Sequence, residues 1–237
     1  IPLAESLSVL LKMLSERMGA PVEIEFAVTL PHKCNNYTDA TLHMLQVKPL
    51  IGEQLSHAIN EAVDPESVLM YSQNALGNGV IDTITDVVLV DSSRFDKTKT
   101  EAIATEVEYI NRKLVKENRQ YILIGPGRWG TRDKSLGVPI VWGQICNARV
   151  IVELGFADYP LDASLGSHFF HNLTAMNTGY MAINEHHQND TIHWERFHDA
   201  VTVEKLHYVH HLRFAAPLHV EIDGLKRKAA ITRGKSN

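Results

Sequence analysis

Glu23 and Glu25 flank Ile24 in a stretch with strand character, so the two carboxylates project from the same face of the strand. Like charges this close repel unless a cation or solvent lies between them. A magnesium ion carried on nucleotide phosphates suits such a pair, because it takes a few carboxylates together with phosphate oxygens. The following strand ends in Leu45-Gln46-Val47-Lys48-Pro49, where Gln46 and Lys48 share a face and offer an amide and a cation to a polyphosphate. The same alternation also describes the solvated side of an ordinary strand, and spacing alone leaves both readings open.

A second constellation is Gly125-Pro126-Gly127-Arg128-Trp129-Gly130, a G-x-G-x-x-G run after a strand-like segment, with Glu153 some twenty residues on. A dinucleotide fingerprint requires a helix to begin within the loop and aim its N-terminus at the pyrophosphate. Here Gly137 and Pro139 interrupt the next ten residues, which argues against that reading. Two others remain: an anion site built from Gly125, Gly127, Gly130, Arg128 and Arg132, or a tight structural turn with Trp129 filling the core. A third constellation, Gly166-Ser167-His168 before Phe169-Phe170, stands where a short helix is expected to start. The other histidines, among them His186, His187, His193, His198, His207, His210 and His211, lack the spacing with an acid that marks a zinc helix.

The elements that must position these groups follow from periodicity. Leu3, Leu7, Leu10, Leu11, Leu14 and Met18 recur at helical spacing before Gly19. Strands are expected over Pro21–Val28 and Leu42–Val47, and a helix near Gln54–Ala62. Gly77-Asn78-Gly79 marks a turn where a second domain begins. Val87–Val90 and Tyr121–Ile124 read as buried strands around a helix over Thr98–Asn118, with Ile103, Val107, Ile110 and Leu114 on one face and Thr98 with Glu101 as a capping box. Strand, helix and strand in that order imply a parallel pair. Val138–Trp142 and Arg149–Leu154 add strands, Gly166–Met176 a short helix, and the last fifty residues a meander with a hairpin at Asp223-Gly224.

Two runs carry a family resemblance. Pro21-Val22-Glu23-Ile24-Glu25-Phe26, followed by Leu42-His43-Met44-Leu45-Gln46-Val47-Lys48-Pro49, resembles the close of the nucleotide-binding domain in phosphoenolpyruvate synthase and pyruvate phosphate dikinase. Those enzymes carry P-x-D-I-E-[WF] and then L-Q-[AST]-R-P. The resemblance implies an ATP-grasp fold over residues 1–50, with Glu25 serving magnesium and catalysis, Glu23 beside it at the metal, and Gln46 and Lys48 on the ATP phosphates. Glu23 stands where the family has Asp and Lys48 where it has Arg, which removes a bidentate phosphate contact. Residues from Gly77 to the end resemble the C-terminal region of long bacterial pyruvate- and phosphoenolpyruvate-binding proteins. The order around His168 is similar to the swivelling domain of the same enzymes, whose G-G-x-[ST]-S-H-A-A histidine carries the phosphoryl group. Phe169-Phe170 departs from that pattern, and a helix-capping role competes with it.

The expected fold class is therefore α/β: the tail of an ATP-grasp lobe over 1–50, a connector over 51–76, and an α/β domain over 77–237 with a parallel strand-helix-strand core and a β-rich end. The chain reads as part of a longer ATP-dependent phosphotransferase, inactive alone, that draws ATP and Mg2+ through an upstream ATP-grasp half and passes phosphate to pyruvate or from phosphoenolpyruvate. The alternative is a non-catalytic regulatory or assembly module attached to a nucleotide-binding domain. A net charge of −5, from 23 Lys+Arg against 28 Asp+Glu, opposes a nucleic-acid or anionic-membrane surface. The two cysteines, Cys34 and Cys146, cannot form a disulfide framework, no apolar run spans a bilayer, and a cytoplasmic location is expected.

Overall fold

The computed structural model describes residues 3–18, 22–30, 40–49, 65–131, 133, 135–156, 161, 178–184 and 189–234. Helix α1 (Leu3–Met18) precedes the antiparallel pair β1 (Val22–Thr29) and β2 (Thr41–Pro49). Next come β3 (Val68–Ser72), β4 (Asn74–Leu76), β5 (Asn78–Val90), α2 (Thr100–Lys116) and β6 (Tyr121–Pro126). The short strands β7 (Arg128–Trp129) and β8 (Gly137–Val138) pair with each other, and β9 (Ala148–Gly155) and β10 (Gly179–Asn184) follow. The chain continues through β11 (Thr191–Ile192), β12 (Val201–Lys205), β13 (Val209–Asp223) and β14 (Lys228–Thr232).

Ten of these strands form one sheet in the order β11-β3-β14-β13-β5-β6-β9-β10-β4, with β12 on the side of β13. Only Gln73 separates β3 from β4, yet β3 pairs with β14 towards one end of that order and β4 pairs with β10 at the other. The sheet must therefore curl until its ends meet. At the meeting point side chains stand in for a backbone ladder. The Ser72 hydroxyl donates to the Ala182 carbonyl and accepts from Asn74 N–H at 2.9 Å. The Asp190 carboxylate accepts from Gln73 N–H at 2.9 Å and from Asn184 N–H at 3.1 Å.

The curl gives the sheet two differently covered faces. Ile84, Val87, Ile122, Val152, Met181, Val220 and Ile231 belong to a single cluster drawn from strands all round the curl. Alternate residues on β5, β6, β9 and β10, such as Val88, Leu123, Ile151 and Tyr180, pack instead with Ile103, Val107, Ile110 and Leu114 of α2. Because both faces of these strands are buried, their sequences are continuous apolar runs. Each such side chain contributes about 1.5–3 kcal/mol on leaving water.

This arrangement overturns the α/β class. The fold is mostly β, a curled mixed sheet in which antiparallel pairs predominate. Strands β5, β6, β9 and β10 do run parallel to one another, and α2 links β5 to β6, but β5 and β10 also pair antiparallel with β13 and β4, and one helix against one part of a ten-stranded sheet is not a parallel strand-helix core. The sheet also takes in β3 and β4, which lie in the segment expected to be a connector. Among local signals, the side-chain cap falls on Asp96 rather than Thr98: Asp96 caps the 3-10 turn Lys97–Lys99 that leads into α2, accepting from Thr98 N–H and hydroxyl, both at 2.7 Å, and Lys99 at the α2 N-cap makes no side-chain cap. The strand expected over Val138–Trp142 stops after Val138 and gives way to a 3-10 turn at Trp142–Gln144.

Candidate functional site

The β1–β2 pair places Glu23 opposite Lys48 and Glu25 opposite Gln46. Directly paired positions share a face, and so do positions two apart, so all four fall on one face of the hairpin. Glu23, Glu25 and Gln46 are exposed; of Lys48 only the backbone is described. Neighbours on this face stand about 5 Å apart across the strands and about 7 Å apart along them. The opposite face is apolar: Val22 is buried, Ile24, Val28, Leu42 and Val47 are half-buried, Phe26 and Met44 are exposed, and α1 packs against β1. Two acids and an amide on an exposed face fit a magnesium–polyphosphate, which takes few protein oxygens and keeps its phosphate ligands.

The glycine loop is built differently from an anion cradle. Gly127 and Gly130 adopt φ of 65° and 76°, where a side chain would be strained. Their N–H groups donate within the fold, Gly127 to Leu154 O at 2.8 Å and Gly130 to Val138 O at 2.9 Å. Arg128 N–H donates to Leu136 O at 2.8 Å, and Trp129 N–H to Glu153 Oε1 at 2.9 Å. These four amides are already used, so backbone N–H groups do not point at a ligand here. β6 leads into β7 with no helix start, so the dinucleotide reading lacks its helix N-terminus. Gly125 lies under the indole, and a Cβ there would meet Trp129 Cζ2 at 2.4 Å. Arg132 lies outside the described residues.

Glu153 is fully buried beneath this loop and also accepts from Tyr180 Oη at 2.6 Å, while Trp129 Nε1 donates to Val152 O at 3.1 Å. Its bonds make it the acceptor that pins the loop to β9 and β10.

A polar cluster that sequence reasoning missed surrounds Asp86, 1% exposed on β5. Oδ1 accepts from His211 Nε2 and Arg213 Nε, both at 2.7 Å, and Oδ2 from Arg119 Nε at 2.8 Å and Thr85 Oγ1 at 2.9 Å. Burial alone would raise this carboxyl, but the bonds from His211, Arg119, Arg213 and Thr85 outweigh it and hold the group well below the usual carboxylate range. The available signal was an acid inside the apolar run Ile84–Val90, since a buried charge implies partners. With all of these bonds made, the cluster ties β5, β13 and the turn between α2 and β6 together.

Gly166, Ser167 and His168 lie outside the described residues, as do His186 and His187. His193 Nδ1 sits 3.1 Å from Glu195 Oε1, and His207 stacks edge-on against Tyr208. Among the described residues no group of three or more His, Cys, Asp or Glu could hold a metal ion, and no helix is long and apolar enough to cross a membrane. Comparison with protein-family models, with curated proteins and with solved structures finds no match.

Proposed function

We propose that this chain serves as the C-terminal part of an ATP-dependent phosphotransferase of the phosphoenolpyruvate synthase and pyruvate phosphate dikinase kind. The observation that carries the reading is the β1–β2 register, which sets Glu25 opposite Gln46 and Glu23 opposite Lys48 on one face of the hairpin, where Glu23, Glu25 and Gln46 are exposed. An ATP-grasp half upstream in the same protein supplies the rest of the nucleotide site, and pyruvate or phosphoenolpyruvate enters through that larger protein.

In this reading Glu23 and Glu25 hold the Mg2+ that accompanies ATP, which neutralises charge on the transferring phosphoryl group. The Gln46 amide donates N–H to a phosphate oxygen, and Lys48 adds a point charge there. The apolar reverse face of the hairpin keeps these groups on a fixed platform. The curled sheet of residues 68–232 does no phosphoryl chemistry through its glycine loop, because the loop amides are bonded internally.

The test is Mg·ATP binding and phosphoryl transfer by the polypeptide that joins this chain to the upstream half. Glu25→Gln keeps the shape and removes the charge, and is expected to lower transfer about a hundredfold. Unchanged transfer in Glu25→Gln overturns the proposal.

A further inference from the structure

Strand β2 carries one more residue than β1 can pair. Glu25 pairs with Gln46 and Phe26 with Met44, so Leu45 is a β-bulge. The consequence is a change of parity. In a regular strand, residues three apart point to opposite faces, and His43 would lie with the apolar residues against α1. With Leu45 inserted, His43 pairs with Ala27, which shares its face with Glu25. A second observation agrees: His43 Nε2 lies 3.1 Å from Thr29 Oγ1, a hydrogen bond between side chains of that same face. His43, Thr29 and Ala27 are all exposed, and Ala27 presents only a methyl between the imidazole and Glu25.

We propose that His43 is a further nucleotide-binding residue, turned onto the Glu23–Glu25–Gln46 face by the Leu45 bulge and held there by Thr29 so that its imidazole contacts the polyphosphate of Mg·ATP. The inference rests on the function proposed above and adds a residue to that site. Bulges recur beside active sites, where the inserted residue bends the strand and re-aims a side chain. Among the described residues the imidazole bonds to one exposed side chain, that of Thr29, and it fills no core. With Nε2 engaged by Thr29, Nδ1 is left to meet a phosphate oxygen or a water on it.

The experiment is Mg·ATP titration of the polypeptide that joins this chain to the upstream half, read by calorimetry and by the nitrogen-15 resonances of the histidine rings. His43→Ala assigns the ring by the signal it removes. The His43 resonances are expected to move as Mg·ATP binds, with His43→Ala weakening affinity about tenfold. Thr29→Val is expected to weaken it about two- to fivefold by freeing the ring. Thermal melting of each variant separates a binding loss from a folding loss, and these exposed sites should leave the melt unchanged. Should Glu25→Gln abolish binding while the His43 resonances stay still and His43→Ala binds normally, the His43 proposal is overturned and the site stands. A wild-type protein that binds no Mg·ATP overturns both.

Discussion

The backbone N–H of Trp129 donates to the carboxylate of Glu153 at 2.9 Å, joining the tip of the glycine loop to the middle of the sheet. The same carboxylate takes the Tyr180 hydroxyl, so one acidic side chain satisfies a loop amide and a phenol, both buried. Glu153→Ala leaves both donors without that acceptor and opens a cavity, and is expected to cost about 3 kcal/mol in urea unfolding. Glu153→Gln keeps an acceptor oxygen and should cost about 1 kcal/mol. Equal losses in the two variants would mean that the acceptor oxygens contribute nothing.

Glycines in this region divide by what surrounds them. A Cβ on Gly137 would lie 1.9 Å from the Arg128 carbonyl oxygen, a backbone atom that cannot move without breaking the β7–β8 pair. Gly137→Ala is expected to destabilise the protein by about 3 kcal/mol. Gly143, a few residues on, faces open space, and Gly143→Ala should fall within about 0.5 kcal/mol of wild type. Comparable melts for the two would contradict the close approach of β7 and β8.

How much of this was legible beforehand depended on range. The stripe of Ile103, Val107, Ile110 and Leu114 announces α2, and the apolar run Tyr121–Ile124 announces β6, because each is a local pattern. The turn at Asp223-Gly224 is likewise local and joins β13 to β14. The curl is not local. It arises because β3 pairs with β14 and β4 with β10, contacts between segments over a hundred residues apart, and strand periodicity is silent on partners. Its polar signature is scattered through Ser72 and Asp190, which read as loop residues until the seam brings them to Ala182 and Gln73. On the hairpin, the alternation of Glu23 with Glu25 and of Gln46 with Lys48 was readable. The Leu45 bulge was not, because it is defined by pairing with β1.

Asp190 offers a direct measure of the seam. It accepts from Gln73 N–H and Asn184 N–H where β3 and β4 leave the ladder and β10 ends. Asp190→Ala deprives two backbone donors at once, worth about 1 kcal/mol each or more. Hydrogen exchange should show the loss first at Gln73 and Asn184, with the amides of β6 and β9 unaffected because local opening precedes global unfolding. Uniform loss of protection across the sheet would mean that Asp190 supports the whole fold and not its closure.

The Asp86 cluster ties stability to pH. Its carboxyl is depressed in the folded protein, so its contribution is fully present above the unfolded value and is lost as pH falls toward the folded one. The unfolded value is about 3.9. Stability should therefore hold from neutral pH to about pH 5, then decline progressively below about pH 4. Asp86→Asn cannot titrate, so its acid-side curve should be flatter than that of wild type. At pH 7 the same change leaves Arg119, Arg213 and His211 facing one another without their shared anion, at a cost of about 3 kcal/mol. Arg213 retains Glu117 at 3.3 Å, which limits the damage on that side and makes Arg119 the more exposed loser. The measurement is urea unfolding of both proteins from pH 7 to pH 3. Parallel curves would show that Asp86 is not the group whose protonation weakens the fold in acid.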